Sequence, residues 1–234
     1  MCPHSVHAVI AVKSLDSAKS RLAGVLAPAH RSRLVLAMLT DTVRAAAEVP
    51  AIAAITIVTP DPVVAEATRA LGAEVHPEPA RARTDPDGLN IALADAAAAL
   101  RGRHGAVGLL ALQADLPALC PSELAAVLAA ASGELRALVT DHAGTGTAAL
   151  FAPSGVPLRP RFGRDSAHHH RADGARELAG DWPGLRQDVD TAADLAAVRA
   201  LGTGVETAAL LRELGLPAGV REPVTQVCGP VATP

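Results

Sequence analysis

Hydrophobic residues along the chain follow two different spacings. Continuous apolar runs, such as residues 7–12 and 106–112, are typical of strands that are covered on both faces of a parallel sheet. Between such runs, apolar residues recur every three or four positions, as they do over residues 31–48, and this spacing predicts helices. The pattern predicts strands at 7–12, 53–59, 73–76, 106–112, 135–140, 147–152 and 185–189, helices at 31–48, 62–71, 88–100, 121–131, 172–179, 191–201 and 204–214, and an irregular polar segment at 153–170.

Strands that alternate with helices of about ten to fifteen residues indicate right-handed βαβ units. We therefore predict an α/β fold in which helices flank a mostly parallel, Rossmann-like central sheet. The chain contains no internal repeat and no low-complexity linker, so a single domain is expected over residues 1–214. Residues 215–234 form a tail rich in Pro, Val and Gly for which the pattern predicts no regular element.

Helix starts carry their own signals. Asp61 followed by Pro62 predicts an N-cap and a first helical residue. Either Asp190 or Thr191 is expected to cap the helix at 191–201, and Thr203 is expected to cap the last helix.

Composition and charge exclude several classes of protein. The 234 residues carry a net charge of −3 and only two Phe and one Trp, which argues against a nucleic-acid-binding protein. No apolar run approaches the roughly 18 residues of a membrane span, and residues 1–7 lack the pattern of a signal peptide. The three cysteines are far apart and form neither a zinc-binding pattern nor a disulfide framework, so a reducing cytoplasm is expected.

Lysine is rare in the chain and is confined to one place. Only Lys13 and Lys19 are lysines among the 21 basic residues, and both lie with Arg21 in the polar loop after the first predicted strand. An ammonium group is a compact charge on a flexible stem and suits a phosphate oxygen. The pair indicates a phosphate-binding loop, although two surface lysines could also lie close together by chance.

Acidic side chains follow the predicted strands. The chain contains neither GxxxxGK[ST] nor GxGxxG after the first strand, which argues against a P-loop and against a Rossmann dinucleotide site. Ligands of open α/β sheets bind beyond the carboxyl ends of the strands, where Asp115, Asp188 and Asp190 are placed. Such carboxylates can hold Mg²⁺ together with substrate phosphates. Alternatively, Asp115 caps the next turn and Asp190 caps the next helix.

Other polar residues allow both a binding role and a structural one. Gly88 and Asn90 open a predicted helix, and Asn90, the only asparagine, could read a purine edge or a ribose or could simply fill the loop. Asp141 stands beside a Gly-Thr-Gly turn and is as consistent with turn chemistry as with a ligand. The three consecutive histidines at 168–170 cannot all face one metal ion on a regular element.

Six short motifs occur in order between residue 8 and about residue 200: AVKSL at 11–15, AKSRL at 18–22, ADLP at 114–117, GTGT at 144–147, FGRDSA at 162–167 followed by His170, and DVDT at 188–191. Together they resemble the guanylyltransferases of deazaflavin coenzyme F-420 biosynthesis. These belong to a wider nucleotidyltransferase superfamily that includes the molybdenum-cofactor guanylyltransferases. The resemblance implies a nucleotide-diphospho-sugar-transferase-like fold. The segment from Lys13 to Arg21 replaces the glycine-rich loop usual in the superfamily, as in the F-420 branch.

The resemblance implies that the protein transfers GMP from GTP to the phosphate of phosphoenolpyruvate. The products would be enolpyruvoyl-2-diphospho-5'-guanosine and pyrophosphate. The same chemistry on 2-phospho-L-lactate or 3-phosphoglycerate is an alternative, and so is a non-catalytic nucleotide-binding regulatory domain. The expected partners are thus GTP and a three-carbon phospho-acid, and a homodimer is compatible with the sequence.

The reaction and the resemblance together imply roles for individual residues. Because two anions must approach each other, charge neutralisation is the main requirement. The nucleotide is expected to contact Lys13, Lys19, Arg21, Gly88 and Asn90, with the three basic residues also acting in catalysis. The resemblance assigns the acceptor acid to Thr147, Gly163 and Ser166, and it is consistent with a role for His170 near the same anion. Asp115, Asp188 and Asp190 are expected to hold Mg²⁺.

Overall fold

Seven strands form one sheet in the computed structural model of the protein, which describes residues 6–15 and 19–220. The strands are β1 (Val6–Ala11), β2 (Ile52–Thr59), β3 (Glu74–Pro77), β4 (Gly108–Leu112), β5 (Ala137–Thr140), β6 (Thr147–Ala152) and β7 (Arg176–Glu177). The helices are α1 (Pro28–Ala47), α2 (Pro62–Ala70), α3 (Gly88–His104), α4 (Pro121–Ala130), α5 (Ser166–Ala172), α6 (Pro183–Arg186), α7 (Ala192–Leu201) and α8 (Val205–Glu213), and short 3-10 turns lie at Ser20–Leu22 and Ala80–Arg83.

The strand order is β3-β2-β1-β4-β6-β5-β7, and every neighbouring pair is parallel except the two that involve β6. The predicted α/β fold with a mostly parallel sheet is confirmed. From β1 the chain adds β2 and β3 on one side, whereas β4 pairs with β1 on the other side. The carboxyl ends of β1 and β4 therefore border the crevice where ligands of open α/β sheets bind. Because β6 is antiparallel, its first residue, Thr147, lies at this same edge.

Helices cover both faces of the sheet. Neighbouring residues of β1 point to opposite faces, so Ile10 joins the cluster that contains Met38 of α1, while Val9 joins the cluster that contains Leu93 of α3. The side chains of Val9, Ile10 and Met38 are all fully buried. The apolar runs predicted as strands covered on both faces are thus explained. Within the described part of the chain, no helix combines the length and the apolar character that a membrane crossing requires.

Asp61 is the N-cap of α2, as predicted. Its Oδ1 atom accepts hydrogen bonds from the N–H groups of Val63 (2.9 Å) and Val64 (3.3 Å). Its second oxygen accepts the N–H of Leu15 at 2.9 Å. One carboxylate therefore starts a helix and also fixes the chain just beyond β1, which no local pattern indicates.

The strand predicted at 185–189 is wrong. Residues 183–186 form the short helix α6, and residues 187–190 have no regular structure. Pro183 fixes the first turn of α6. The carboxylate of Glu123 accepts the N–H groups of Gly184 (3.1 Å) and Leu185 (2.8 Å). These N–H groups are satisfied by a side chain that is distant in sequence, so the apolar run at 185–189 was misleading.

The helix predicted at 172–179 is also wrong. Helix α5 lies earlier, inside the segment that was expected to be irregular. Gly174 follows it with φ of 84°, a backbone conformation that favours glycine and ends the helix. The chain then forms β7, which pairs in parallel with β5. Pairing with a distant strand decides the conformation here.

Of the two C-terminal helix starts, one follows a local capping signal and the other depends on a distant contact. Thr191 caps α7 in a capping box with Asp194, so Asp190 is not the cap. Helix α8 starts after Gly204 rather than Thr203. The buried carboxylate of Asp41 in α1 accepts the N–H groups of the second and third residues of α8 at 3.1 and 2.8 Å. A Cβ atom at position 204 would lie 2.3 Å from Cγ of Asp41, so only glycine fits.

We predict that Asp41→Ala lowers the free energy of unfolding by about 2–3 kcal/mol, because it leaves the first N–H groups of α8 buried without an acceptor. Asp41→Asn keeps one oxygen acceptor and should cost less. Urea unfolding followed by circular dichroism measures both values, with the exposed Glu66→Ala as the control. Equal stability of Asp41→Ala and wild type would contradict this role of Asp41.

Candidate active site

The ammonium group of Lys19 lies between two carboxylates at the carboxyl edge of the sheet. It forms ion pairs with Asp115 and with Asp190, whose Oδ1 atom is 2.8 Å away. Arg21 adds a longer contact, with 3.8 Å between its Nη1 atom and Oδ2 of Asp190. The side chains of Lys19 and Asp115 are 12% and 16% exposed, whereas Arg21 is 73% exposed. The structure therefore brings together four residues that the sequence analysis assigned to one site.

These residues meet because of the order of the strands. Lys19 follows β1 and Asp115 follows β4, and these two strands are neighbours and parallel. Asp190 comes from the segment between α6 and α7. In this segment Val189 is fully buried, while Asp188 and Asp190 on either side of it are only partly covered. Asp188 and Asp190 thus both avoid the core side, as expected for an extended segment, although no strand forms here.

The loop that carries Asp115 is held from two helices. Thr42 of α1 accepts a hydrogen bond from the N–H of Leu116 (3.2 Å), and its hydroxyl lies 3.4 Å from the carbonyl oxygen that precedes Asp115. The N–H of Gly204, at the start of α8, donates to the C=O of Pro117 at 2.8 Å. These contacts fix the backbone on both sides of Asp115. Sequence reasoning missed Thr42, because a threonine inside a helix carries no local signal of this role.

The backbone at Lys19 is in a strained conformation. Its φ and ψ angles are 50° and 46°, in the left-handed region that non-glycine residues rarely adopt. Such a conformation costs on the order of 1 kcal/mol or more and persists only when surrounding contacts enforce it. Here the two ion pairs of the side chain provide such contacts. In this backbone conformation the ammonium group of Lys19 reaches both carboxylates.

Opposite charges shift the pKa values of this site in opposite directions. Burial lowers the pKa of Lys19, but attraction to Asp115 and Asp190 outweighs it, and the pKa lies above its usual value. Burial raises the pKa of Asp190, but the charge and hydrogen bond of Lys19 outweigh it, and this pKa is lowered. Burial, together with repulsion from Asp115 and Asp190, raises the pKa of Asp188 to about 6. The single positive charge of Lys19 thus does not balance the negative charge of the three carboxylates, and Asp188 carries the excess.

His142 is a second residue of this site that the sequence analysis did not identify. Its Nδ1 atom lies 3.4 Å from Oδ1 of Asp188, and its Nε2 atom lies 3.5 Å from Oδ1 of Asp194. Its backbone N–H donates to the C=O of Arg186 at 2.8 Å. His142 comes just after β5, so the rule of strand ends could have found it. The neighbouring Asp141 accepts two backbone N–H groups of its own turn, which confirms its role in turn chemistry.

Lys13 lies at the same edge of the sheet but outside this ionic cluster. It follows β1, is exposed, and forms no ion pair with any residue that the structure describes. Residues 16–18, which include the first residue of the AKSRL motif, lie outside the described residues. Among the described residues, Lys13 and Lys19 therefore differ: Lys19 is held by two carboxylates and Lys13 by none.

A second group of predicted residues meets around His170. Oγ1 of Thr147 lies 2.9 Å from Nδ1 of His170 and accepts a hydrogen bond from Ser166 at 3.1 Å. Nε2 of His170 accepts the backbone N–H of Arg161 at 2.8 Å. All three side chains, those of Thr147, Ser166 and His170, are at least 98% buried. By contrast His168 and His169 are exposed, so the three histidines do not face one point.

Asn90 and Gly163 line one cavity of about 430 Å³, together with arginines 161 and 164. The amide of Asn90 donates to the C=O of Phe162 at 2.9 Å and accepts the N–H of Phe162 at 2.7 Å. Both ends of this amide are thus engaged with the backbone next to Gly163, which has φ of 129°. Gly88 has a packing role, because a Cβ atom there would lie 2.0 Å from the carbonyl oxygen of Ala82.

The fold and the crevice define a class of protein. A mostly parallel sheet whose crevice holds basic residues after β1, an aspartate after β4 and two further aspartates from the segment before α7 is suited to a phosphorylated ligand. A solved nucleotidyl transferase from Methanothermobacter thermautotroptrophicus has the same fold, with a TM-score of 0.63 and 19% sequence identity, covering 89% of this chain and 99% of that chain. The chain therefore has the fold of the nucleotidyl transferases.

The sequence comparison narrows this class to one family. The chain belongs to the CofC-like guanylyl transferases, which it matches over residues 6–226. A phosphoenolpyruvate guanylyltransferase from Nocardia farcinica is 62% identical over 228 residues, covering 97% of this chain and 100% of the relative. Another from Rhodococcus erythropolis is 52% identical over 217 residues, covering 89% and 96%. The family resemblance of the six motifs is confirmed.

The raised pKa of Asp188 predicts a specific dependence of stability on pH. Between about pH 4 and about pH 6 the folded protein keeps a proton on Asp188 that the unfolded chain has released, so ionisation of this group destabilises the fold as the pH rises. Asp188→Asn cannot ionise. Its free energy of unfolding should therefore increase relative to that of wild type across this pH window and then stay level.

Urea unfolding at half-unit steps from pH 4 to pH 8 measures this difference. The exposed Glu66→Gln is the matched control and should show no such trend. If the free energies of unfolding of Asp188→Asn and wild type differed by the same amount at every pH, the raised pKa would be contradicted.

Proposed function

We propose that the protein transfers GMP from GTP to the phosphate of phosphoenolpyruvate, giving enolpyruvoyl-2-diphospho-5'-guanosine and pyrophosphate, a step of coenzyme F-420 biosynthesis. The names of two relatives with 62% and 52% identity support this acceptor and this nucleotide. The observation that carries the chemistry is the Lys19 ammonium group held between Asp115 and Asp190 at the switch point of the sheet. A triphosphate bound there would contact the ammonium group of Lys19, and the neighbouring carboxylate oxygens could share a cation with its phosphates.

The reaction exchanges one phosphoanhydride bond for another. An oxygen of the acceptor phosphate attacks the α-phosphorus of GTP and forms the new O–P bond. The bond between the α-phosphorus and the bridging oxygen to the β-phosphorus breaks, and pyrophosphate leaves with that electron pair. Little covalent chemistry falls to the protein, so positioning and charge stabilisation are its main contributions.

The basic residues provide this charge stabilisation. Two hydrogens of the Lys19 ammonium group point to Asp115 and Asp190, and the third is not used by any described residue. Lys19 therefore keeps its charge and a fixed position while one hydrogen can contact a phosphate oxygen of the leaving group. Arg21 is exposed beside Asp190 and can form an ion pair with the same pyrophosphate. The exposed Lys13 can reach the α-phosphate from the end of β1. Gly88 and Asn90 would border the nucleotide where α3 begins.

The acidic residues fit a divalent cation. Oδ1 of Asp115 is buried and has no hydrogen-bond partner among the described residues. Burial and repulsion from the carboxylates of Asp115, Asp190 and Asp141 raise the pKa of Asp188. No three His, Cys, Asp or Glu side chains of the described chain are arranged to coordinate an ion by themselves. Asp115, Asp188 and Asp190 would thus hold Mg²⁺ together with phosphate oxygens of the substrates, as is usual for this ion. Bound there, Mg²⁺ would neutralise phosphate charge and polarise the α-phosphate.

Thr147, Gly163 and Ser166 are the proposed acceptor contacts. Thr147 begins β6 at the same edge of the sheet as Asp115, since Gln113 near the end of β4 donates its amide to the C=O of Thr147 at 3.2 Å. Hydroxyl groups and backbone N–H groups of a glycine turn donate hydrogen bonds to carboxylate and phosphate oxygens. The acceptor would therefore approach the α-phosphate from the side of β6.

The proposed acceptor can be tested by measuring pyrophosphate release from GTP. We expect release with phosphoenolpyruvate in the presence of Mg²⁺, much slower release with 2-phospho-L-lactate or 3-phosphoglycerate, and none after chelation with EDTA. ATP and CTP in place of GTP serve as nucleotide controls. GTP binding without release for any acceptor would overturn the proposed function and would favour a nucleotide-binding regulatory domain.

We predict that Lys19→Met lowers kcat on the order of 100-fold, equivalent to about 3 kcal/mol of transition-state stabilisation, because one fixed positive charge at the leaving group is lost. Arg69→Met removes an exposed charge far from the crevice and should leave kcat unchanged. Thermal unfolding of both variants separates catalysis from stability. An unchanged kcat in a folded Lys19→Met protein would remove Lys19 from the mechanism.

A further inference from the structure

His170 is the most deeply buried polar residue near the proposed acceptor site, with no exposed surface. It contacts two separate segments, Thr147 at the start of β6 and the backbone of Arg161. Thr147 in turn accepts a hydrogen bond from the hydroxyl of Ser166, which lies in α5 as His170 does. None of the roles already assigned explains why an imidazole rather than an apolar side chain fills this position.

The contacts of His170 determine where its hydrogen lies. A backbone N–H can only donate, so Nε2, which receives the N–H of Arg161 at 2.8 Å, must be without a hydrogen. The Nδ1 atom then carries the hydrogen and donates to Oγ1 of Thr147 at 2.9 Å. Burial, reinforced by Arg136, Arg161 and His169 against the opposing Asp173, lowers the pKa of His170 to about 4, so the ring is neutral near pH 7.

This direction sets the polarity of the two hydroxyl groups. Oγ1 of Thr147 accepts one hydrogen bond from His170 and a second from Ser166, so both of its lone pairs are occupied. Its own hydrogen is not taken by any described residue. With the opposite tautomer, Thr147 would donate to the ring and Ser166 to Thr147, and neither hydroxyl would have a hydrogen left. The observed arrangement therefore makes the pair a net donor, which matches an anion.

His170 also fixes the turn that contains Gly163. Its contact holds the N–H of Arg161, and the amide of Asn90 holds both backbone groups of Phe162. Three consecutive peptide groups that lead up to Gly163 are thus held by side chains that are 93% or more buried. The edge of the Phe162 ring packs against the imidazole, with 5.1 Å between centroids.

We propose that His170 is a positioning residue that holds Thr147, Ser166 and the Gly163 turn in one arrangement and directs a hydroxyl hydrogen to an anionic oxygen of the acceptor. This inference rests on the proposed function, because it takes those three residues as the acceptor contacts. His170 does not itself contact the acceptor or take its proton.

Three substitutions separate the contacts of the ring. The amide nitrogen of His170→Asn occupies the place of Nδ1 and can still donate to Thr147. The amide oxygen of His170→Gln reaches the place of Nε2 and can accept the N–H of Arg161, but the donor to Thr147 is lost. His170→Phe loses both contacts. His168→Asn changes an exposed histidine of the same helix and is the matched control.

Steady-state kinetics of pyrophosphate release should show the expected split. We expect His170→Phe to raise KM for phosphoenolpyruvate about 10- to 100-fold, the usual size for the loss of a buried hydrogen bond, with KM for GTP unchanged. His170→Asn should recover most of this loss and His170→Gln little of it. Equal effects of Asn and Gln, or equal increases of both KM values, would overturn the proposal.

A measurement on the wild-type protein covers the case in which the variants do not fold. Nitrogen-15 NMR of the histidine rings reports which ring nitrogen carries the hydrogen, and we expect Nδ1–H for one ring that stays neutral down to about pH 5. A hydrogen on Nε2 of the ring assigned to His170 would overturn the proposal. Wild-type turnover with unaffected variants would overturn only the role of His170, whereas absence of wild-type turnover would overturn the proposed function itself.

Discussion

A single ammonium group bridges two carboxylates that belong to distant parts of the chain. Lys19 follows the first strand, Asp115 follows the fourth, and Asp190 precedes the seventh helix, yet the three side chains share one set of ion pairs. The site depends on this contact because it fixes the backbone at Lys19 in a conformation that a lysine rarely adopts. It also leaves excess negative charge at Asp188, where a cation with its phosphates would be stabilised.

Buried polar side chains support the site by satisfying the backbone of its loops. Thr42 holds the loop of Asp115, Asp61 holds the chain beyond β1, and Asn90 and His170 hold the segment before Gly163. In each case one side chain of a helix or a helix start replaces hydrogen bonds that a regular strand would have made. Because unsatisfied buried backbone groups are costly, these contacts restrict each loop to one arrangement. The crevice is thereby preorganised for ligands before they bind.

Sequence patterns predicted the architecture better than the connections. Continuous apolar runs and three-to-four spacing gave the parallel half of the sheet and its helices, because burial on both faces leaves a strong local signal. The runs at 172–179 and 185–189 were misassigned because Gly174, Glu123 and β5 decide those conformations from elsewhere. Of the site, the rule for open sheets predicted Lys19 and Asp115, which follow β1 and β4. Asp188 and Asp190 were predicted from a strand at 185–189, where the structure has α6 and irregular chain. Thr42 was missed because its role consists only of contacts with a distant segment, whereas His142, which follows β5, could have been found by the same rule.

The sequence by itself determined the fold class, the family motifs and the kinds of charged group available, because these follow from local periodicity and residue chemistry. Only the tertiary structure decided which charges pair, that Asp41 holds the start of α8, and that the amide of Asn90 is engaged with the Phe162 backbone. Hydrogen-bond direction at His170 belongs to the same category. The physical reason is that ion pairs, burial and hydrogen bonds depend on distances between atoms, and residues far apart in sequence acquire those distances only when the sheet has formed.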